Sequence, residues 1–249
     1  VAKFVLKAVR LFTGGADLTS NNNALEVSSE VEDKDVTTFQ SDPTSPLWRE
    51  VLGGLASTTA TGSGQWEAGD ASKVDDATWS ALGGVGAWTA CPSGANVGDV
   101  AWVTTMLTGS YSLGDAVGEV APWKADWNSS WPMARGQILH PPGTARTTTG
   151  TGTARQLGAL STSQALYVTL HVLSVSGTTP SITVAIESDD SSGFASATTR
   201  ATFTAATDRA GQTVKISGAV TDDWWRASWT ISGTSPSFLF VVAAGIGPA

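Results

Sequence analysis

The 249-residue chain holds two histidines, His140 and His171, and a single cysteine, Cys91. Acyl-transfer chemistry needs a nucleophile, a base and an orienting acid in one place, and a zinc centre needs three or four nitrogen or sulfur ligands. His140 stands in a turn, His140-Pro-Pro-Gly-Thr144, and His171 stands inside an apolar run, so neither pattern is supplied. Cys91 reads as a small buried hydrophobe, and one cysteine allows no internal disulfide. No GxxxxGK[ST] or GxGxxG loop precedes a helix pattern. The sequence therefore predicts no enzyme, no cofactor and no metal.

Two oxygen-rich stretches could bind ligands. Glu187-Ser-Asp-Asp190, followed by Ser191-Ser-Gly193, has the oxygen donors that calcium takes, and equally the composition of a strand end closed by Asx turns. Asp222-Asp223 before Trp224-Trp225-Arg226 could form a sugar-binding patch. Trp225, Trp229 and Ile231 nevertheless recur at period two, the spacing of a buried or interfacial strand face. The chain has eleven Trp, eight of them at or before Trp131, against two Tyr. Large aromatics of this kind anchor cores and interfaces.

Charge narrows the partners. Only 14% of residues are charged, against roughly 25% in an ordinary soluble domain. Such a surface suits a protein covered by neighbours. Residues 1–140 hold 16 acidic and 8 basic residues, a net of −8, while residues 141–249 hold 6 of each. A nucleic-acid binder needs the opposite sign to displace phosphate counterions, whereas an acidic wall lets a duplex pass without sticking. There is no charged-then-apolar leader and no apolar run near 18 residues, so no membrane segment is expected and synthesis in a cytoplasm is.

The elements that would position these residues read as strands. Alternation predicts strands over Val1–Thr13, Ala24–Asp33 and, at greater length, Leu55–Glu67. In the last, Ser57, Thr59, Thr61, Ser63, Gln65 and Glu67 make one wholly polar face. Glu26, Glu30 and Glu32 do the same in the strand before it. Between them, Gln40, Ser41, Asp42, Pro43, Thr44, Ser45 and Pro46 form a loop that two prolines keep from being a strand. A short strand, Leu47–Leu52, ends at Gly53-Gly54. One helix is predicted over Ser72–Leu82, capped by Ser72, with Asp75 and Asp76 in its first turn and Gly83-Gly84 at its end. Further strands fall at about 87–91, 100–109, 117–128 and 131–139. His140-Pro-Pro-Gly marks a boundary and residues 141–154 read as a linker. A second β series follows over 155–249, with turns at Ser176-Gly177, Ser192-Gly193 and Ser232-Gly233.

Several words in this order resemble the tail tube (major tail) protein family of long-tailed bacteriophages. They are Val31-Glu-Asp-Lys-Asp-Val-Thr-Thr-Phe39, Trp48-Arg-Glu-Val-Leu-Gly-Gly-Leu55, the polar strand ending near Trp66, the helix ending at Leu82-Gly83, and Gly114–Val120 before Trp123. The resemblance covers about residues 1–140. It implies a mainly β fold: a tail-tube β sandwich with one flanking helix, followed by a C-terminal β sandwich of Ig-like or jelly-roll-like type. It also implies hexameric rings of identical subunits that stack into the conduit for DNA ejection in the virion tail. A tape-measure protein and a tail terminator would be partners. DNA would pass without specific binding. On that reading Glu26, Glu30, Glu32, Ser57, Thr59, Thr61, Ser63, Gln65 and Glu67 face the lumen, Gln40–Pro46 is the inter-ring loop, and 155–249 decorates the outside. The competing expectations are a head decoration or baseplate protein and a carbohydrate-binding, adhesin-type virion protein carried by the second half.

Overall fold

The computed structural model describes residues 5–39 and 44–249. It is nearly all antiparallel β. In chain order the elements are β1 (Arg10–Thr13), β2 (Ala16–Asp17), β3 (Asn22–Asp35), β4 (Val51–Gln65), α1 (Val74–Ser80), β5 (Val85–Cys91), β6 (Val100–Leu113), β7 (Pro122–Ser129) and β8 (Ala134–His140). There follow β9 (Gly150–Thr151), β10 (Arg155–Gln156), β11 (Gln164–Asp189), β12 (Thr198–Thr202), β13 (Ala210–Ser217) and β14 (Trp224–Pro248).

The strands stack in layers around three cores. The front layer is β3, β4, β7 and the second half of β6. The middle layer is β2, β1, β5 and the first half of β6. Between them lie Leu11, Ala60, Trp88, Ala90, Met106, Trp123, Ala125 and Trp127, with α1 adding Val74. Alternate residues of the middle layer point the other way. Phe12, Cys91, Ala101 and Val103 meet Ala165, Tyr167, Leu173, Val241 and Ala243 of the back layer, with Ala134 and Ile138 of β8. The middle layer is thus buried on both faces, which is why Ala87–Cys91 contains no exposed position. β8 is the fold line: it pairs with β6 on one side and β14 on the other.

The back layer is a long ribbon of β11 against β14. Its first stretch is also buried on both faces, and a run such as Ala165–Leu173 is accordingly apolar without alternation. The ribbon then doubles over on itself. Leu166, Val168, Leu170 and Val172 of one leg pack on Val184, Ile186, Trp225, Ala227 and Trp229 of the other. The turns expected at Ser176-Gly177 and Ser232-Gly233 are not strand ends. Both lie within the paired ribbon, where Thr178 stands opposite Thr234. The corner is built twice from one motif: Ser176-Gly-Thr-Thr-Pro-Ser181 and Ser232-Gly-Thr-Ser-Pro-Ser237. Gly177 and Gly233 take φ of 118° and 117°, and Thr179 and Ser235 take 48° and 50°. A Cβ on Gly177 would lie 2.8 Å from the Ser235 carbonyl oxygen, and one on Gly233 would lie 2.8 Å from that of Thr179. Each strand crosses the other where it has no side chain, and a local two-fold relates the copies.

Other expectations shift for local reasons. The first strand is shorter than Val1–Thr13: its start, residues 1–4, lies outside the described residues, and before Arg10 only Ala8 makes a bridge, to Ser93. Gly53-Gly54 does not end a strand, because β4 runs through it, with a register shift opposite Val31–Asp33. The helix is shorter than Ser72–Leu82, and Ser72 is not its cap. Asp70 captures the Ser72 backbone N–H at 2.7 Å and its hydroxyl, leaving Lys73 at the cap without a side-chain bond. Gly83, at φ 77°, ends the helix region and donates its N–H to the Thr108 carbonyl. The 141–154 segment is strapped to the ribbon by an Arg146–Phe238 bridge and by β9 on β14.

Candidate functional site

The front layer carries the feature that sequence alternation anticipated. Directly opposed residues share a face. The register places Glu26 beside Thr61, Thr61 beside Asp126, and Asp126 beside Ser110. The next rows are Ser63–Lys124–Ser112 and Ser28–Thr59–Asn128, with Glu30–Ser57 beyond them. One polar face thus spans four strands, while the reverse face, with Leu25, Val27, Ala60 and Trp127, closes the front core. Asp126 is the hub. It accepts from Thr61 Oγ1 at 2.8 Å and from Ser110 Oγ at 2.7 Å. The Ser110 hydroxyl foremost, with Thr61 and Lys124 adding to it, holds its carboxyl below the usual range against the opposing effect of burial.

The expected lumen residues do not all meet. Glu26, Glu30, Ser57, Thr59, Thr61 and Ser63 share this face, and Gln65 ends it beside Pro122. Glu32 sits at the register shift, ion-paired with Lys34. Glu67 leaves the face: it accepts from Asn21 Nδ2 at 2.9 Å and pairs with Lys73, which lowers its pKa. Asp126, Lys124, Asn128 and Ser110 join the face without having been anticipated. For Lys124, Asp126 and Asn128 the available signal was the period-two polarity of residues 122–129, where Trp123, Ala125 and Trp127 take the alternate, buried positions.

Of the expected inter-ring loop, Gln40, Ser41, Asp42 and Pro43 lie outside the described residues. Thr44, Ser45 and Pro46 are exposed at the end of the β3–β4 hairpin. That hairpin outruns its own core. Its first half rests on Trp127 and Ala125. Beyond Ser29 every residue of β3 is exposed, as is every residue of β4 before Thr58, including Val31, Leu52 and Leu55. The exposed large apolar side chains among the described residues all fall within residues 5–120.

The front layer also has two free edges. Among the described residues β3 pairs only with β4. From Gly109 to Leu113, β6 pairs with β7 on one side and, among the described residues, with no strand on the other. Unpaired edges of this length template further pairing.

The remaining chemical candidates are structural. Cys91 is buried, and desolvation pushes its thiol up to about 12. His171 is wholly buried between the middle and back layers, with Nε2 2.9 Å from Thr89 Oγ1, and desolvation lowers its pKa to about 3. His140 stacks on Phe240 at 4.0 Å and has Nδ1 3.0 Å from the Phe240 carbonyl oxygen; burial lowers its pKa to about 4. Among the described residues no three His, Cys, Asp or Glu are grouped to hold a metal, and no helix is long and apolar enough to cross a membrane. Around Glu187–Gly193 the Asx-turn geometry is present: Asp189 accepts from the N–H groups of Ser191 and Ser196 at 3.0 and 2.8 Å. Glu187 receives Arg226 Nε at 2.7 Å, and Asp222 receives Arg200 Nη2 at 2.8 Å. Trp225 and Trp229, two members of the period-two stripe, point into the core of the second half, so Trp225 is not available to a sugar patch with Asp222 and Asp223.

No family model matches the chain, and no curated protein matches it. Solved structures do. One is from the virion of a native gene transfer agent particle, 20% identical, covering 46% of this chain and 84% of that one at a TM-score of 0.37. Another is from the tail of an empty gene transfer agent particle with C6 symmetry, 19% identical, covering 51% and 92%, TM-score 0.36. A third is the Dit protein of phage SPP1, described as a paradigm of the hub of adsorption apparatus in phages infecting Gram-positive hosts. It is 10% identical, covering 97% and 100%, TM-score 0.35. These structural neighbours are virion and tail components.

Proposed function

We propose that this chain is a structural subunit of a bacteriophage tail tube. Copies join their front layers edge to edge, β3 of one beside the Gly109–Leu113 stretch of β6 of the next. The closed ring presents the polar face to its lumen, and stacked rings form the conduit through which DNA leaves the virion. The observation that carries this reading is the front layer itself: its Glu26–Thr61–Asp126–Ser110 row is polar from edge to edge, the reverse face of its inner half closes a core, and among the described residues both its edges are unpaired. Ring closure satisfies both edges, as a barrel does.

The dimensions suit the task. A hexamer of four-stranded sheets is a barrel of ~24 strands. At ~4.8 Å per strand and ~40° of tilt, its backbone circle is about 48 Å across. Side chains leave an opening of about 40 Å, wider than a DNA duplex. Glu26, Glu30 and Asp126 outnumber Lys124 on this face, so the phosphate backbone meets like charge and slides. The middle layer cannot line the lumen, since its outer face is covered by the back layer. The second half therefore sits at larger radius, as an integral outer layer of each subunit. A tape-measure protein inside the tube and a terminator at its end would be its partners.

The test is negative-stain microscopy of purified protein at high concentration. Wild-type protein should form tubes with a continuous lumen. Deleting residues 41–45 should leave a folded protein that forms none. Normal tubes from the deletion would remove the loop from assembly. Single rings that never stack would keep edge-to-edge closure and overturn the tube.

A further inference from the structure

Two groups of exposed apolar side chains in the first half lie at opposite ends of one strand. At the N-terminal end of β4, the far part of the β3–β4 hairpin exposes Val31, Trp48, Leu52 and Leu55, with Trp48 83% and Leu55 81% accessible. At its C-terminal end stands an aromatic platform. Trp66 Nε1 donates to Asp75 Oδ1 at 2.9 Å, and the Tyr111 hydroxyl donates to the same oxygen. Trp79 of α1 meets the Tyr111 ring edge-on at 5.5 Å and is 63% accessible. Leu113 stands exposed two residues beyond Tyr111. Asp75 and the helix fix the rings in place, which lowers the entropy that binding would cost.

We infer that the platform of Trp66, Trp79 and Tyr111 is the docking site for the hairpin tip of a second copy of this chain. This deepens the tube reading, naming the surface on which one ring receives the next. β4 has 15 residues, so at about 3.3 Å each its ends lie about 45 Å apart. The tip cannot reach the platform of its own chain. The two surfaces are unlike each other, so a contact between them is heterologous and does not close as a dimer; with tip and platform at opposite ends of β4, it repeats along the strand direction as a stack. The front core points the same way. The stripe Leu25, Val27 and Val31 begins under the subunit's own core and continues, uncovered, into the tip. The area is adequate. Large aromatics such as Phe39 and Trp48 bury roughly 150–250 Å² each, and Val31, Leu52 and Leu55 add to it. A stable interface takes about 800 Å² per partner.

Disulfide trapping in full-length protein tests the contact. Leu55→Cys and Trp79→Cys change exposed side chains, and the native Cys91 is buried and silent. Trp48→Cys with Leu113→Cys gives a second pair. Under mild oxidation, mixing L55C with W79C, or W48C with L113C, should raise covalent dimer at least tenfold over either protein alone. Microscopy of the same samples separates the two ideas. Tubes without cross-linked dimer in either pair would overturn the docking site and leave the tube reading intact. Cross-linked dimer without tubes or rings would keep the docking site and overturn the tube. Dimer of equal yield from L55C alone would show a tip-to-tip contact and overturn the inference.

Discussion

Removing residues 155–249 should unfold the half that remains. The division at the His140-Pro-Pro-Gly turn suggests a first half able to stand alone, but the packing predicts that it cannot. Phe12, Cys91, Ala101, Val103, Ala134 and Ile138 are all at most 1% exposed, and their cover comes from Tyr167, Leu173, Val241 and Ala243. Uncovering Phe12, Val103 and Ile138 costs about 1.5–3 kcal/mol each, and the three smaller side chains add roughly 2–3 kcal/mol. The sum, about 7–12 kcal/mol, matches the whole stability of a typical domain, about 5–15 kcal/mol. β8 would also lose its β14 partner. The assay is near-ultraviolet circular dichroism with thermal melting of a 1–154 fragment, in which Trp88, Trp123 and Trp127 report on the front core. Loss of the aromatic signal and of a cooperative melt is expected. A fragment that melts cooperatively within a few degrees of the full chain, with its tryptophan signal intact, would refute the shared-wall reasoning.

Two further outcomes are expected. Gly177→Ala or Gly233→Ala should each cost about 1–3 kcal/mol in a denaturant titration, because a Cβ would meet the facing strand's carbonyl at 2.8 Å and φ is positive; unchanged midpoints would show that the corner is loose. Acid should weaken the fold before ordinary carboxylates titrate. His171 and His140 are held neutral with pKa about 3 and about 4, against ~6.5 unfolded. Their contribution is therefore full above about pH 6.5 and is lost as pH falls through that window. Melting temperature measured from pH 7 to 3 should fall, and His171→Asn should flatten the slope between 6.5 and 4. The lowered Asp126 and Asp222 act only nearer the acid end. An H171N profile parallel to wild type would place the acid sensitivity elsewhere.

Period-two polarity made the front layer legible, since Glu26, Glu30, Thr59 and Thr61 alternate with side chains that the front core takes in. Faces buried on both sides were harder to assign. Ala87–Cys91 and Ala165–Leu173 show no alternation because each neighbouring residue meets a different core, and nothing local says which. The corners depart from the sequence expectation for a definite reason. Ser-Gly followed by Pro is turn chemistry, and at 176–181 and 232–237 it bends a paired ribbon instead of ending a strand; the repetition of the motif was the available sign. Glu67 follows the same alternation as Ser57–Gln65, but Lys73 and Asn21, brought near by α1 and the turn before β3, draw it off the face. Ser72 has the chemistry of a cap and loses the role because Asp70, two residues earlier, takes its backbone N–H and hydroxyl, which composition does not reveal.

The polar face of the front layer should line the channel. A cryo-electron-microscopy reconstruction of tubes formed by the purified protein measures this directly. Glu26, Glu30, Thr61 and Asp126 should lie at the smallest radius, with β3 paired across the subunit boundary to Gly109–Leu113 of β6 and residues 155–249 at the largest. Density for residues 155–249 lining the lumen, or a front layer facing outward, would contradict it.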